Sequence, residues 1–450
     1  MASDSQSFVD GLPVAWYNLA ADLPQPAPPM FEPSRDEPLG PSRLAAFMPV
    51  ALAEQEFSTQ RWIEIPPEVL EAYRSWRPTP LVRAVRLEKY LRTPARIYFK
   101  DESRSPPGSH KLNTAVAQAY YAKQQGLQRL VTESGAGQWG CSLAMACSMF
   151  GLSCKVFMVN LSCQQRPYRR TLIRLWGGEV VASPSLQTAV GRRLLARDQD
   201  FKGSIGIAIA EAVENALGET GAAYGCGSVY NYTMLHQTVI GLETAAQLAA
   251  LDEKPDVIIG CIGGGSNFAG LAFPFVTQRL AGQPIRFLAA EPRACPTLTR
   301  GRYRYDHTDA AGLTPRVKMH TLGHTYIPRD IYACGLRYHG CAPLVSHLVN
   351  LAVVEPVAFS EAAVLKAAQL LAATEGIIAA PESAYAVRAA ITEAVRCRKQ
   401  QSSECIVFCL SGHGLCDMEA YGAYLSKHAK TVAERPSLVD LLRWSKLGYT

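Results

Sequence analysis

The sequence predicts an α/β protein with two open, twisted, mainly parallel sheets covered by helices. Three observations predict it. From about residue 95 onward, short apolar runs rich in Val, Ile and Phe alternate with longer segments of helical character. Two of those runs end in glycine clusters that open a helix, Gly135-Ala136-Gly137 and Gly263-Gly264-Gly265. The chain has 450 residues, 48% of them hydrophobic and 19% charged, which is enough for two or three full cores.

Residues 1–60 are irregular and rich in proline, with Pro24, Pro26, Pro28, Pro29 and Pro33. They read either as an ordered, loop-rich arm facing a partner subunit or as a floppy leader, and both readings stand at this point. The remainder divides into an N-terminal domain, 61–228, and a C-terminal domain, 229–450. In the first domain a strand is expected at 97–100, a helix at Leu112–Gln124, a strand at 130–132 and an apolar helix reaching Phe150. A strand at 155–159 leads to a basic helix ending near Trp176. Another strand at 180–182 leads to a helix from Ser185 to about Arg197. In the second domain an apolar strand at 257–262 ends in the three glycines. Next come a strand at 287–290, helices near 359–373 and 382–397, and a last strand at 405–410.

Composition excludes several classes. A net charge of +6 is dilute over a chain of this size, and no long Lys/Arg run marks a nucleic-acid surface. Arg169-Arg170 and Arg192-Arg193 read as solvated helix faces. No window holds the roughly 18 uninterrupted apolar residues of a membrane span. The start, Met-Ala-Ser-Asp-Ser, lacks a basic segment followed by an apolar one. Thirteen cysteines, an odd number without paired metal spacing, read as reduced core residues; Cys405 and Cys409 share one buried-looking strand. No metal site is expected, and the location expected is the cytoplasm.

The chemistry gathers at strand ends. Gly108-Ser109-His110-Lys111-Leu112-Asn113 puts a lysine behind a glycine turn at the start of a helix. A lysine amine that condenses with an aldehyde, beside a seat for a phosphate, describes pyridoxal phosphate held as a Schiff base. Gly263-Gly264-Gly265-Ser266-Asn267 offers that seat, because three glycines let backbone N–H groups approach an anion closely. The run lacks a Walker lysine and the dinucleotide glycine spacing, so a small phosphate monoester fits it better. It would equally serve as a tight strand–helix turn. Glu133-Ser134-Gly135-Ala136-Gly137-Gln138 enters a helix and suits a substrate carboxylate. Glu133 is placed for acid–base work, although a carboxylate there also serves as a cap. Ser411, in Leu410-Ser411-Gly412-His413-Gly414, lies at a strand's carboxyl end, where ligands sit in open α/β sheets. A neutral hydroxyl against a pyridine nitrogen favours β-elimination and replacement over transamination. The Ser411 surroundings do not match the Gly-x-Ser-x-Gly of a hydrolase. Glu375, in Thr374-Glu375-Gly376-Ile377-Ile378, either faces a cofactor ring or simply ends a helix capped by Gly376.

In this order the motifs resemble the tryptophan synthase β-subunit family, fold-type II enzymes of pyridoxal phosphate. The resemblance spans residues 62–417 and includes Arg77-Pro78-Thr79-Pro80-Leu81 and Leu235-His236-Gln237-Thr238. It is narrower for the family's second branch, with its longer N-terminal arm, the run Gly335 to Gly340, and His413 after Ser411-Gly412. The resemblance implies pyridoxal phosphate bound by Lys111, His110, Asn113, Gln138, Gly263, Gly264, Gly265, Ser266 and Asn267. It implies Ser411 at the ring nitrogen and Glu375 beside the ring. Lys111 and Glu133 are the implied catalytic pair. Ser134, Gly135, Ala136, Gly137 and Gln138 would hold the substrate carboxylate. The implied reaction joins indole to L-serine or O-phosphoserine to give L-tryptophan. A segment at about 126–200 would close over the site. A homodimer, a monovalent cation and an α-subunit partner are further implications.

Some positions depart from the family pattern. Arg337 stands where the main branch has an aspartate, and an arginine there suits an anionic leaving group such as phosphate, or else pairs with a carboxylate. Residues 325–332 are more polar than expected. Ala380 replaces a proline, and Leu415-Cys416 follow His413-Gly414. These positions leave room for β-replacement with another nucleophile, for serine or threonine deamination, or for a non-catalytic binding subunit.

Overall fold

The computed structural model describes residues 7–427. Two sheets carry the fold. The first has four parallel strands in the order Ala222–Tyr224, Arg129–Ser134, Ser153–Val159, Glu179–Ser183. The second has six, in the order Val354–Phe359, Arg286–Pro292, Val257–Cys261, Cys405–Leu410, Arg96–Asp101, Leu81–Arg83. All its pairings are parallel except the last, where Leu81–Arg83 runs antiparallel to Arg96–Asp101. The central strand Val257–Cys261 is buried along its whole length, as a strand covered on both faces must be.

The six-stranded sheet takes strands from both sides of the 228/229 boundary expected from sequence. Strand Arg96–Asp101 pairs residue by residue with Cys405–Leu410, from Arg96 opposite Cys405 to Asp101 opposite Leu410. Hydrophobic pattern marks a strand but does not name its neighbour, which is why a split by sequence order misses this pairing.

The expected strands are present with ends that differ by a few residues, and the edge strands Leu81–Arg83, Ala222–Tyr224 and Val354–Phe359 were not anticipated. The basic helix is in fact two, Asn160–Gln165 and Pro167–Leu175, broken where Pro167 supplies no N–H. Arg169 is not a solvated face residue. It is fully buried, with its guanidinium 3.0 Å from Asp417 Oδ2. Arg192 and Arg193 are exposed, as expected. The helix expected from Ser185 runs Ala189–Leu195 and is capped by Thr188, whose Oγ1 accepts from Gly191 N at 3.0 Å. Ser185 instead gives both its N–H and its hydroxyl to Glu211 Oε1, each at 2.8 Å. A hairpin of Arg302–His307 with Arg316–Thr321 was not anticipated.

The proline-rich arm is packed into the body. Trp16, Tyr17 and Leu19 are buried, and strand Ala15–Tyr17 pairs with Trp62–Glu64. The Trp16 ring lies 4.4 Å from His236, and Tyr17 N donates to Thr238 Oγ1 at 2.9 Å. Between them these contacts fix the arm to helices Asn231–Gln237 and Val239–Ala250. All thirteen cysteines are free thiols, and every one but Cys416 is buried. Among the described residues no helix is long and apolar enough to cross a membrane.

Candidate active site

One cavity lies between the carboxyl ends of the two sheets. Lys111, Glu133, Gln138, Glu382 and Ser411 line it, together with the glycine turn 263–267. Lys111 is the residue immediately before helix Leu112–Gln124. The turn that delivers it needs Gly108, which has φ +69°, and a Cβ there would lie 2.1 Å from His413 Nε2. The Lys111 amine donates to Gly227 O at 3.2 Å. Desolvation in the cavity pushes this amine below the usual lysine range, and the nearby Glu133 opposes the shift.

Glu133 is the penultimate residue of strand Arg129–Ser134 and lines the same cavity. Its Oε2 accepts from the Tyr224 hydroxyl at 2.6 Å. Burial raises the carboxyl to about 7, against the pull of that hydrogen bond. A carboxyl poised there can give or take a proton near neutrality. Ser134 lines the cavity, and its side chain also braces the next turn. Its Oγ accepts from Gly137 N at 3.1 Å and Gly140 N at 3.2 Å, which braces the first turn of helix Gln138–Phe150 behind its N-cap Gly137. Gly135, Ala136 and Gln138 line the cavity. Gly137, at φ +91°, packs against Arg169: a Cβ there would lie 2.7 Å from Arg169 Cβ.

Opposite stands the glycine turn. A Cβ on Gly263 would lie 2.6 Å from Gly335 O, and one on Gly264 would lie 1.7 Å from Ser228 Oγ. Gly265 has φ +110°. No other residue fits these three positions, and the fifteen-residue helix Ser266–Leu280 begins directly after them. Its first N–H groups therefore open on the cavity. Asn267 Nδ2 donates to Cys261 O at 3.0 Å, while its Oδ1 is buried and has no partner within the protein.

His110 joins the two sides. Its Nδ1 lies 3.2 Å from Ser411 O and its Nε2 lies 3.1 Å from Ser266 Oγ. A carbonyl oxygen only accepts, so Nδ1 carries the ring proton and Nε2 takes the proton of Ser266. Burial lowers the ring to about 3, which keeps it neutral.

Besides Gly137, three more expected residues lie off the cavity wall. Asn113 Oδ1 accepts from Arg77 Nη1 at 2.8 Å, and its Nδ2 donates to Glu102 and Gln237. It braces the buried Arg77 network and does not line the cavity. Glu375 ends helix Glu361–Glu375, followed by Gly376 at φ +74°. Its carboxylate accepts from Leu87 N at 2.6 Å and pairs with Arg86. Arg337 Nη2 sits 2.9 Å from Asp330 Oδ1 and donates to Pro328 O at 2.9 Å. Arg337 lines a small neighbouring cleft that shares Gly135 with the main cavity.

Sequence reasoning gave no role to Glu382, which is buried in the cavity wall. Its Oε1 accepts from Gly335 N at 2.9 Å and its Oε2 from Gln138 Nε2 at 3.1 Å. Nor did it find Asp417, which pairs with both Arg166 and Arg169 and ties the two sheets' segments together. Cys261, two residues before the glycine turn on the strand leading into it, could have been found from that spacing.

Fold and site define a class: a two-sheet α/β enzyme whose desolvated lysine shares a cavity with a glycine-built anion seat. The family described as pyridoxal-phosphate dependent enzyme matches residues 73–412. A tryptophan synthase beta chain of Thermococcus gammatolerans is 53% identical over 92% of this chain and 94% of its own length. A tryptophan synthase beta chain 2 of Thermotoga maritima is 53% identical over 91% of this chain and 97% of its own length. Among solved structures, a fungal L-serine ammonia-lyase from Rhizomucor miehei superposes with a TM-score of 0.59 at 19% identity. That match covers 78% of this chain and 98% of the other. The chain belongs to the pyridoxal-phosphate dependent enzymes and, within them, to the tryptophan synthase beta chain family.

The residues present fit that cofactor. A turn whose glycines leave no room for a Cβ, a helix N-terminus and the orphaned Asn267 Oδ1 suit a bound phosphate monoester with its hydration. The desolvated amine of Lys111 suits an aldehyde.

Proposed function

We propose that this chain joins indole to the β-carbon of a serine-type amino acid, L-serine or O-phosphoserine, giving L-tryptophan. The observation that carries the reading is the sharing of one cavity by Lys111, Glu133, Ser411 and the glycine turn. The names of its relatives, at 53% identity, support it.

Lys111 is the residue that would hold pyridoxal phosphate through its aldehyde. The backbone of Gly263, Gly264 and Gly265, with Ser266 and Asn267, would hold the phosphate, and His110 would brace Ser266 from behind. Ser411 would meet the ring nitrogen. When bound, this cofactor supplies an electron sink that makes the α-proton of an amino acid labile. Lys111 Nζ, freed when the substrate's amine takes its place, would take that proton. N–H groups of the turn at Gly135, Ala136 and Gln138 receive the substrate carboxylate. Glu133, protonated near neutrality, gives its proton to the departing β-oxygen. As a carboxylate it then accepts the indole N–H and orients the ring for attack from carbon. The buried walls at Ile209, Leu336 and Tyr338 keep water from the reacting β-carbon.

The same reading includes a segment at about 126–200 that closes over the cavity, and a homodimer working in the cytoplasm. The word chain in the relatives' names supports a second kind of subunit as partner.

The test is to incubate the purified protein with pyridoxal phosphate, indole and either L-serine or O-phosphoserine, and to read tryptophan by mass spectrometry. Tryptophan is expected, and Lys111→Ala should make none. If neither donor yields tryptophan, the reading fails. Keto acid released without indole would assign the chain to deamination instead.

A further inference from the structure

Ser411 does not stand alone. Its Oγ lies 2.7 Å from Ser383 Oγ and 3.6 Å from Cys261 Sγ. Ser383 opens helix Ser383–Gln400, is fully buried and is not part of the cavity wall. Two arrangements of the hydroxyl protons satisfy these contacts, since either serine can be the donor. A hydroxyl has one proton and two lone pairs. Ser383 Oγ already accepts from Gly412 N at 3.1 Å. Its own proton has two destinations, Ser411 Oγ at 2.7 Å or Gly412 O at 3.2 Å. Gly412 O already accepts from Ala380 N at 2.9 Å. The shorter contact favours donation from Ser383 to Ser411 Oγ.

Cys261 adds to the same bias. Its sulfur accepts from Asn267 Nδ2 at 3.2 Å, and its burial raises the thiol to about 12, so the sulfur keeps its hydrogen. This thiol is a weak donor within reach of Ser411 Oγ, at 3.6 Å. With Ser383 and Cys261 both donating, Ser411 Oγ would have no lone pair left for the cavity, and only its proton to offer.

We propose that Ser383 is a positioning residue that fixes the Ser411 hydroxyl as a hydrogen-bond donor into the cavity, so that the ring nitrogen it meets is held unprotonated. This rests on the assignment of Ser411 to the ring nitrogen of pyridoxal phosphate. The chemical consequence concerns the product. A neutral ring withdraws electrons less strongly than a protonated one. It favours loss of a β-group over reprotonation elsewhere on the cofactor. In this chain that choice would be set outside the cavity, by a side chain that never touches the ligand.

The experiment loads the full-length protein with pyridoxal phosphate carrying ¹⁵N in the ring and reads the ring-nitrogen chemical shift. The unmutated protein should give the shift of a neutral nitrogen accepting a hydrogen bond. A protonated-nitrogen shift there overturns the proposal without need of any variant. In Ser383→Ala the shift should move towards that of a pyridine nitrogen with a weaker or absent donor. Cofactor affinity, by fluorescence titration, should fall about five- to tenfold, the worth of one hydrogen bond. Ser383→Thr, which keeps the hydroxyl, should restore the shift even if its added methyl lowers thermal stability. An unchanged shift in Ser383→Ala, or a Thr variant that folds yet behaves like Ala, overturns it. If the unmutated protein takes up no cofactor and shows no visible absorption band, the assignment of the whole site falls instead.

Discussion

His110 and Ser411 are joined by two hydrogen bonds that end on one atom. The Ser411 carbonyl oxygen accepts from the His110 backbone N–H at 3.0 Å and lies 3.2 Å from His110 Nδ1. The residue beside the cavity lysine is thereby fastened to the end of the strand Cys405–Leu410. Since Nε2 of the same ring meets Ser266, one imidazole keeps the lysine, the ring-nitrogen side and the anion seat at fixed spacing. His110→Phe removes both ring contacts and leaves the backbone bond. Affinity for pyridoxal phosphate should fall about tenfold, while stability falls by only about 1–2 kcal/mol. Fluorescence titration and denaturant melts check the two numbers separately.

Glu133 should make both catalysis and stability depend on pH. Its carboxyl holds a proton to about 7 in the folded chain, against 4.5 ordinarily. Between those values the folded state binds a proton that the unfolded state has released. Its contribution to stability therefore falls as pH rises through that window and levels off above it. Glu133→Gln should remove this decline, which denaturant midpoints at about pH 5 and about pH 8 can show. Tryptophan formation should drop on the order of a hundredfold, and any limb of the rate profile near neutrality should vanish.

Arg337 tests the choice of donor. It is paired with Asp330 beside the cavity, so an anionic leaving group would have to compete for it. Arg337→Asp sets two carboxylates together there and should repel a phosphate. The ratio of rates with O-phosphoserine and L-serine should move at least about tenfold towards serine. An unchanged ratio removes Arg337 from donor selection.

Asp417 neutralises two arginines that are themselves buried, Arg166 and Arg169. Asp417→Ala leaves both charges without that partner in a dry interior. A loss of about 3–5 kcal/mol is expected from urea unfolding, larger than for any exposed ion pair. A loss under about 1 kcal/mol would mean that water reaches these guanidinium groups.

Trp16 tests the arm. It is fully buried against His236, and burial lowers that histidine to about 3. Trp16→Ala should cost about 3–5 kcal/mol through the cavity it leaves. The His236 ring should also become easier to protonate, an effect visible by NMR titration.

The legible part of the site was the part carried by local sequence. Lys111, the glycines 263–265 and Ser411 each sit at a turn whose geometry demands glycine or a strand's end, so the signal lies within a few residues. Glu382, Ser383 and Asp417 act through partners that are distant in sequence, and no local pattern names such partners. Glu375 and Asn113 mark the opposite failure. Each belongs to a motif that reads as functional, but tertiary neighbours claim the side chain, Leu87 and Arg86 in one case and Arg77 in the other. The hairpin went unread, although Arg316–Thr321 alternates strictly in exposure; in Arg302–His307 the alternation breaks at the buried Asp306, which pairs with Thr321 and His324.

The pairing of Arg96–Asp101 with Cys405–Leu410 has a consequence in time. On a translating ribosome, strand Arg96–Asp101 emerges with Leu81–Arg83 on one edge and nothing on the other. About 300 further residues must be made before its second neighbour exists. The four-stranded sheet, complete by Tyr224, can assemble during that interval. Nascent chains stalled short of Cys405 should therefore hold a folded half and an open strand edge, a natural target for chaperones. The cavity, which needs Ser411, comes into being only after strand Cys405–Leu410 has been made.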